Sequence, residues 1–507
     1  MKKIVVILVL VLSPFAMGLF AQCPEEDFKG VVITFDYHVG PFDPICVDAD
    51  PPNPPPPDPN EVRRIYFVHG LGGTAESWEK VAEACWNTDL ELHLKGFPAR
   101  RCETTRPDYN NSTGSLASAA DGLRSAIAYQ AGIDRIYGII DPARSILIAH
   151  SQGGLVTRQL MHYDMVQPGT GGTEHSSLSQ GMNYGGVVTV ASPLQGAKIL
   201  DNRNDIFAWA NDGCKKLLLG PILGAVVDAS LNIEVKYLGS RVDISVDKIK
   251  TTLVDVMKDI VPSVCDVATD NVMPMFFKHY YDGITEDYMV GANKINTLNQ
   301  DASNPTYKGF PKVALYGIEP QENIFWRTLN WMFYNPNGNN GANGPKVDYF
   351  EANDDWELYG NTIKPMIDYY TAKSIHYASL AKVYALTNQF TYFTLALNTD
   401  IAYLLGLEWF YRANEGWQTI IGARTYNPAT QQCTMKPEND GVVLAESAKE
   451  LPEAQKVVRV YPNESSTVDF EKGSSHMQIR NDAGLKEHLK KLLDGKYGRF
   501  FQTQEEH

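Results

Sequence analysis

The stretch SILIAHSQGGLV, residues 145–156, carries an apolar run onto His150 and Ser151 and then breaks on two glycines. A serine between a strand and a helix occupies the place of a nucleophile elbow. There the strained turn pushes Oγ outward, and the positions two before and two after must be small because neighbouring backbone passes close. Ala149 and Gly153 meet that demand. The pattern small-x-Ser-x-Gly is weak alone, arising by chance about once in a thousand residues at average composition. Its placement between SILIA and a helix starting near Gly153 gives it weight. Acyl transfer also needs donors for a developing oxyanion. The backbone N–H of Gln152, at the helix start, is one candidate. The other is the N–H of Leu71 in FVHGLGG, residues 67–73, which without Ser151 would be an ordinary tight turn.

These groups need a scaffold that delivers two turns to one edge. RIYFVHG, SILIA, GGVVTVAS and KVALYGI are short apolar runs with little alternation, as strands covered on both faces should be. TAESWEKVAEACW and SLASAADGLRSAIAYQAG between them have helical periodicity. Strands alternating with helices predict an α/β fold with a mostly parallel sheet and helices on both faces. Such sheets bind ligands at their carboxyl edge, where Ser151 falls.

Two blocks break the rhythm, residues 201–285 and 321–435, and both are expected as insertions forming a cap or lid; separate domains are the alternative. The sheet core is then split into 61–200, 286–320 and 436–507. In the first block, Leu217–Val227 and the stripe Leu253, Val256, Met257 and Ile260 suit either a lid closing over the site or the buried face of a cap. FTYFTLALNTDIAYLLGLEWF in the second suits an acyl pocket or, again, a buried cap face. NPNGNNGANG, 335–344, is expected as a surface loop. Residues 22–60 form an N-terminal extension holding one expected strand, GVVITFDYHV, and a polyproline segment that can join neither a ladder nor a helix interior.

HGLGG after a strand, AHSQGG at the elbow and TVASPLQGA on the next strand resemble the secreted bacterial triacylglycerol lipases and esterases of the α/β-hydrolase fold. The resemblance runs over 64–200 and resumes at PENDGVV and SSHMQIRND. It implies that Asp440 is the acid and His476 the base of a triad with Ser151, in the chain order nucleophile, acid, base that this fold uses. Glu319, directly after KVALYGI, is the rival acid. His150 neighbours the serine but points away from an elbow, His69 braces its own loop, and His488 lies in a lysine-rich terminal helix. Leu194 departs from the pattern, standing where such lipases commonly carry histidine after the proline. No cofactor is implied; a structural calcium near the acid is a family-level allowance with no residues assigned to it.

The expected activity is hydrolysis of carboxylic esters, lipid esters first, through an acyl-enzyme on Ser151. An acyltransferase, phospholipase or polyester hydrolase on the same scaffold is the alternative, and a non-catalytic binding protein a more distant one. The formal charge of −15 argues against nucleic acid as a partner. Brief contact with a lipid interface fits, and no protein partner is implied. The seven cysteines suit an oxidising compartment. Nearest-neighbour pairing gives 23 with 46, 85 with 102 and 214 with 265, leaving Cys433 single.

Lys2 and Lys3 before the apolar run Ile4–Phe20, itself broken at Ser13 and Pro14, read as a signal peptide of residues 1–21 for secretion or periplasmic export. Gln22 before Cys23 is not the small residue that lipidation sites prefer, so lipidation is the minor alternative. Cleavage after Ala21 predicts a mature chain beginning at Gln22, with the formal charge moved from −15 to −17. N-terminal sequencing of protein from the periplasm or medium tests this, and a chain retaining Lys2 and Lys3 would exclude it.

Overall fold

A computed structural model describes residues 63–71, 73, 75–78, 102–107, 109, 115–137, 142–166, 183–236, 265, 286–319, 325, 328, 364–427, 429–436, 438–461, 475–476, 479–481 and 483–502. The expected signal peptide, the strand at GVVITFDYHV, the polyproline segment, the stripe Leu253–Ile260 and the loop 335–344 lie outside these residues.

The four strands expected from the sequence are present as β1 (Arg63–Val68), β3 (Ile146–His150), β4 (Gly186–Val190) and β5 (Lys312–Tyr316). Two short strands missing from the sequence reading, β2 (Cys102–Thr105) and β8 (Lys456–Arg459), complete a six-stranded sheet of order β2-β1-β3-β4-β5-β8. Every pairing in it is parallel. The chain steps from β1 outward to β2 and then returns past β1 to β3, so the direction of winding reverses between β1 and β3. That reversal opens a crevice at the carboxyl ends of these strands, where open α/β sheets bind ligands. Leu71 and Ser151 follow β1 and β3 respectively.

Successive side chains of a strand point to opposite faces, and the two cores divide that way. On one face Tyr66, Val68, Leu147, Ala149 and Val187 pack with Leu116, Leu123 and Ile127 of α1 (Leu116–Tyr137) and Leu155, Val156 and Leu160 of α2 (Gln152–Val166). On the other, Ile65, Phe67, Ile146, Ile148, Val188 and Leu315 meet the helix at the end of the chain. α1 starts where Ser115 Oγ accepts the N–H of Ser118, an N-cap contact. The buried Arg64 guanidinium holds Asp134 through two 2.6 Å bonds and ties β1 to this helix.

The range 201–285 is occupied, as far as it is described, by α3 (Arg203–Lys236), followed by Cys265. α3 runs unbroken through Pro221, whose missing N–H leaves the Leu217 carbonyl without its helical donor. The Tyr370 hydroxyl supplies the bond. α4 (Asn293–Gln300) follows, and then, in the range 321–435, α5 (Lys364–Leu386), α6 (Phe390–Ile420) and an antiparallel hairpin of β6 (Arg424–Asn427) and β7 (Gln432–Met435). α6 packs along both α3 and α5. The apolar run Leu217–Val227 is thus part of a long helix, and Tyr403, Leu407 and Phe410 of α6 belong to the main core. α7 (Ala483–Leu493) closes the fold with Leu485, Leu489, Leu492 and Leu493 on the second sheet face.

The pair Cys214–Cys265 is bonded as nearest-neighbour spacing predicts. Cys433, expected to be single, is itself disulfide-bonded. Its partner must therefore come from a cysteine that the spacing rule assigned elsewhere; adjacency in sequence does not decide which β-carbons meet in space.

At the base of β5 the fully buried Lys312 ammonium lies over the Tyr307 ring at 4.3 Å and donates to the carbonyls of Tyr307 and Phe310. Burial pushes its pKa from 10.5 down to about 7. Between these values the unfolded chain binds the proton that the folded chain gives up, so the Lys312 contribution to stability rises with pH, by up to about 1.4 kcal/mol per unit. Below pH 7 lysine is charged in both states and the burial cost is fully present. Urea unfolding of the native chain and Lys312→Met from pH 6 to 9 is expected to show the native chain gaining on the variant as pH rises; parallel curves would refute it.

Candidate active site

β3 delivers His150 and Ser151 to the crevice, and the ladder continues one residue past the strand, with the Ser151 N–H donating to the Val190 carbonyl at 3.0 Å. Ser151 then takes φ +54°, a left-handed conformation unusual for a residue with a β-carbon. Strain of this kind is held only by surroundings that leave no alternative, and the glycines show what holds it. A methyl group on Gly153 would lie 2.5 Å from the His69 carbonyl oxygen, and one on Gly154 2.1 Å from Ser192 Oγ. On the opposing turn, a β-carbon at Gly70 would sit 2.7 Å from Ser151 Cβ. The elbow and the turn after β1 therefore touch, backbone against backbone.

The turn after β1 is braced from beneath. Gly73 N–H donates to the Gly70 carbonyl at 3.0 Å, Tyr109 Oη donates to the His69 carbonyl at 2.7 Å, and the Tyr109 ring stacks on the His69 imidazole at 4.5 Å. Burial raises the Tyr109 phenol well above its ordinary pKa and keeps it a donor. Trp78 Nε1 donates to the Val68 carbonyl at 3.0 Å. Leu71, half-buried, follows Gly70, and Gln152 opens α2. Gln152 thus follows Ser151 directly, and Leu71 follows Gly70, the residue that meets Ser151. The Gln152 side chain is buried, facing the Tyr288 phenol, whose pKa burial raises.

His476 arrives from 325 residues further along the chain, its Nε2 2.8 Å from Ser151 Oγ. Its Nδ1 lies 2.8 Å from Asp440 Oδ2, and its backbone N–H donates to the Asp440 carbonyl at 2.7 Å. The other Asp440 oxygen accepts the N–H groups of Val442 and Val443 at 3.0 and 2.7 Å. With Oδ1 held by the turn, Oδ2 is left for the imidazole. Gly441, at φ +95°, makes the turn, and its carbonyl accepts Trp417 Nε1 at 2.6 Å.

Of the two candidate acids, Asp440 is the one on His476. Glu319 is buried beside it, its N–H donating to the Asn439 carbonyl at 2.7 Å, but His476 makes no hydrogen bond to it. Glu319 instead meets, through its backbone, the turn that carries Asp440. His488 lies elsewhere, against the Tyr497 hydroxyl. Leu194 is in the core with Ala314 and Leu451, and its carbonyl accepts Arg158 at 2.8 Å.

Trp78, Tyr109 and Trp417 were not singled out in the sequence, where isolated aromatics give no signal of backbone bracing. His150 was set aside as pointing away from the elbow. The ring instead packs against the site: its Nε2 lies 2.7 Å from the His476 carbonyl oxygen and the two imidazoles are 4.9 Å apart. Among the described residues no group of three or more His, Cys, Asp or Glu side chains is arranged to hold a metal ion, and the calcium allowed by resemblance is not assigned to residues.

A strained serine after the third strand of a parallel sheet, facing a glycine turn after the first and carrying histidine and aspartate in series, belongs to an α/β-hydrolase fold. Residues 65–243 match the alpha/beta hydrolase family model. Comparison with curated proteins finds no match. Among solved structures, the chain is similar to phospholipase PlaB from Legionella pneumophila at 12% identity, covering 51% of this chain and 40% of that one, with a TM-score of 0.28. It is also similar to Bacillus licheniformis lipase BlEst2 in its mature form, at 12% identity, 87% and 94% coverage and a TM-score of 0.33. An extracellular alpha/beta-hydrolase from a Paenibacillus species matches at 14% identity, 50% and 77% coverage and a TM-score of 0.22. The chain spans less than half the length of the first of these. Likeness this distant carries no information on substrate.

The close approach at Gly153 generates a prediction. Gly153→Ala places a methyl against a carbonyl that cannot rotate away, and overpacking of this kind costs about 1–3 kcal/mol. The urea midpoint is expected to fall accordingly; an unchanged midpoint would show that the elbow and the β1 turn do not press on each other.

Proposed function

We propose that the protein is a secreted serine hydrolase that cleaves carboxylic esters, lipid esters above all, through an acyl-enzyme on Ser151. The observation that carries this reading is the hydrogen-bonded series Asp440–His476–Ser151, with 2.8 Å at each step, ending on a serine held at φ +54°. In this reading His476 Nε2 takes the Oγ proton as Oγ bonds to the ester carbonyl carbon, and the resulting oxyanion accepts the N–H groups of Gln152 and Leu71. His476 then returns the proton to the alkoxide leaving group, releasing the alcohol. Water repeats the sequence on the acyl-enzyme, giving the carboxylic acid and free Ser151. Asp440 fixes the tautomer with the proton on Nδ1 and stabilises the imidazolium without taking its proton.

A lipid ester suits the surroundings. Val383, Leu386 and Phe390 stand exposed around the turn between α5 and α6, apolar surface suited to brief contact with a lipid interface. Export through residues 1–21 is the matching localisation.

Ser151→Ala is expected to abolish turnover of a nitrophenyl ester series and labelling by a fluorophosphonate probe. Asp440→Asn is expected to keep the fold and lose about 10⁴-fold in kcat, the cost of the wrong histidine tautomer. Undiminished activity of Ser151→Ala would end the proposal. A native chain that the probe does not label would favour a binding protein. Product analysis with lipid, alcohol acceptor and polymer separates hydrolysis of lipid esters from the acyltransferase, phospholipase and polyester alternatives.

A further inference from the structure

We infer that His150 is a positioning residue, whose imidazole fixes the backbone of His476 and thereby sets the contact between His476 and Ser151. Two consecutive residues grip one: Ser151 Oγ meets the His476 ring at 2.8 Å, while His150 Nε2 meets the His476 carbonyl oxygen at 2.7 Å. The His476 N–H is bound to Asp440 at 2.7 Å, so the peptide groups on both sides of its α-carbon are fixed. The elbow strand holds one and the acid turn the other.

The chemistry of the contact defines the state of His150. A carbonyl accepts only, so Nε2 carries the proton and the neutral ring keeps Nδ1 bare. Nδ1 is buried with no hydrogen-bond partner among the described residues. It faces Gly70, where a β-carbon would come within 3.3 Å. A second proton would find no acceptor there. The ring is 2% exposed, edge-on to Trp78 at 6.1 Å and 4.9 Å from the His476 ring. Its burial, together with His476, Arg480 and His69 nearby, holds its pKa well below the ordinary histidine value. His150 therefore stays neutral beside a base that must itself become positive, providing a dipole without a competing charge.

This inference rests on the hydrolase reading for its effect on kcat. Its test is made with the full chain bearing His150→Phe, which keeps a flat ring and loses the donor, and His150→Gln, whose side-chain N–H reaches the same depth. His150→Phe is expected to lower kcat on a nitrophenyl ester by about 10–100-fold, the scale of a misplacement near 1 Å, with KM little changed. His150→Gln is expected to recover most of that loss. Proton NMR supplies a readout free of substrate: the low-field resonance of the His476 Nδ1 proton shared with Asp440 is expected in the native chain, lost or broadened in His150→Phe, and restored in His150→Gln. Retention of full kcat and of the resonance by His150→Phe would overturn the inference, as would a folded His150→Gln no better than His150→Phe. If the native chain cleaves no ester, the hydrolase reading fails, and the resonance alone decides whether His150 positions His476.

Discussion

The structure depends on one constraint: a serine in the left-handed region must have backbone pressed against it from two sides. Ser151 keeps φ +54° because its N–H is committed to β4 and because Gly153 and Gly70 admit the turn after β1 to contact distance. Neither side tolerates a β-carbon. The order of the sheet follows from the same need, since β1 and β3 must be neighbours with their carboxyl ends together. The crevice made by the reversal of winding is where these turns meet.

The histidine and the aspartate carry no comparable strain at their α-carbons, but they belong to turns that could sit in many places. They are fixed by donors rather than by sterics. Asp440 is held by two N–H groups of its own turn, Gly441 is tied to Trp417 in the long helix α6, and His476 is bound through its peptide to Asp440 and to His150. The charge on Asp440 is buried, which a carboxylate bears only when its oxygens are all hydrogen-bonded. Here Oδ1 takes two amides and Oδ2 takes the imidazole, so the geometry that satisfies the buried anion is also the one that orients His476.

Legibility followed from how local each signal is. The central strands β1, β3, β4 and β5 were visible because burial on both faces forces continuous apolar runs, and Ser151 was visible because clearance dictates the residues at 149 and 153. β2 and β8 were missed because they are four-residue edge strands, CETT and KVVR, with half of β8 exposed and little apolar pattern to find. Asp440 and His476 came only from a resemblance, since no periodicity marks a turn that becomes functional by meeting a distant one. α3 was legible only as the apolar run Leu217–Val227; what lets the helix pass Pro221 is the Tyr370 hydroxyl, 153 residues from Leu217, which no local pattern announces. Cys433 failed for the same cause, pairing being a property of space and not of spacing.

The long helices are stabilised by a different principle from the elbow. Their contacts are aromatic rings seated on glycines: Trp409 on Gly213, Tyr403 on Gly220, Tyr370 on Gly406 and Trp209 on Gly416. Trp209 also meets Phe325 edge-on at 4.8 Å and Trp417 at 6.1 Å. Such packing is set by volume and shape, and it can be altered ring by ring while the sheet edge keeps its hydrogen bonds. Trp417 joins the two systems, packing in the aromatic cluster while its N–H holds the carbonyl of the acid turn. Changes in the helical layer therefore reach the site by moving Trp417 and with it the turn that carries Asp440.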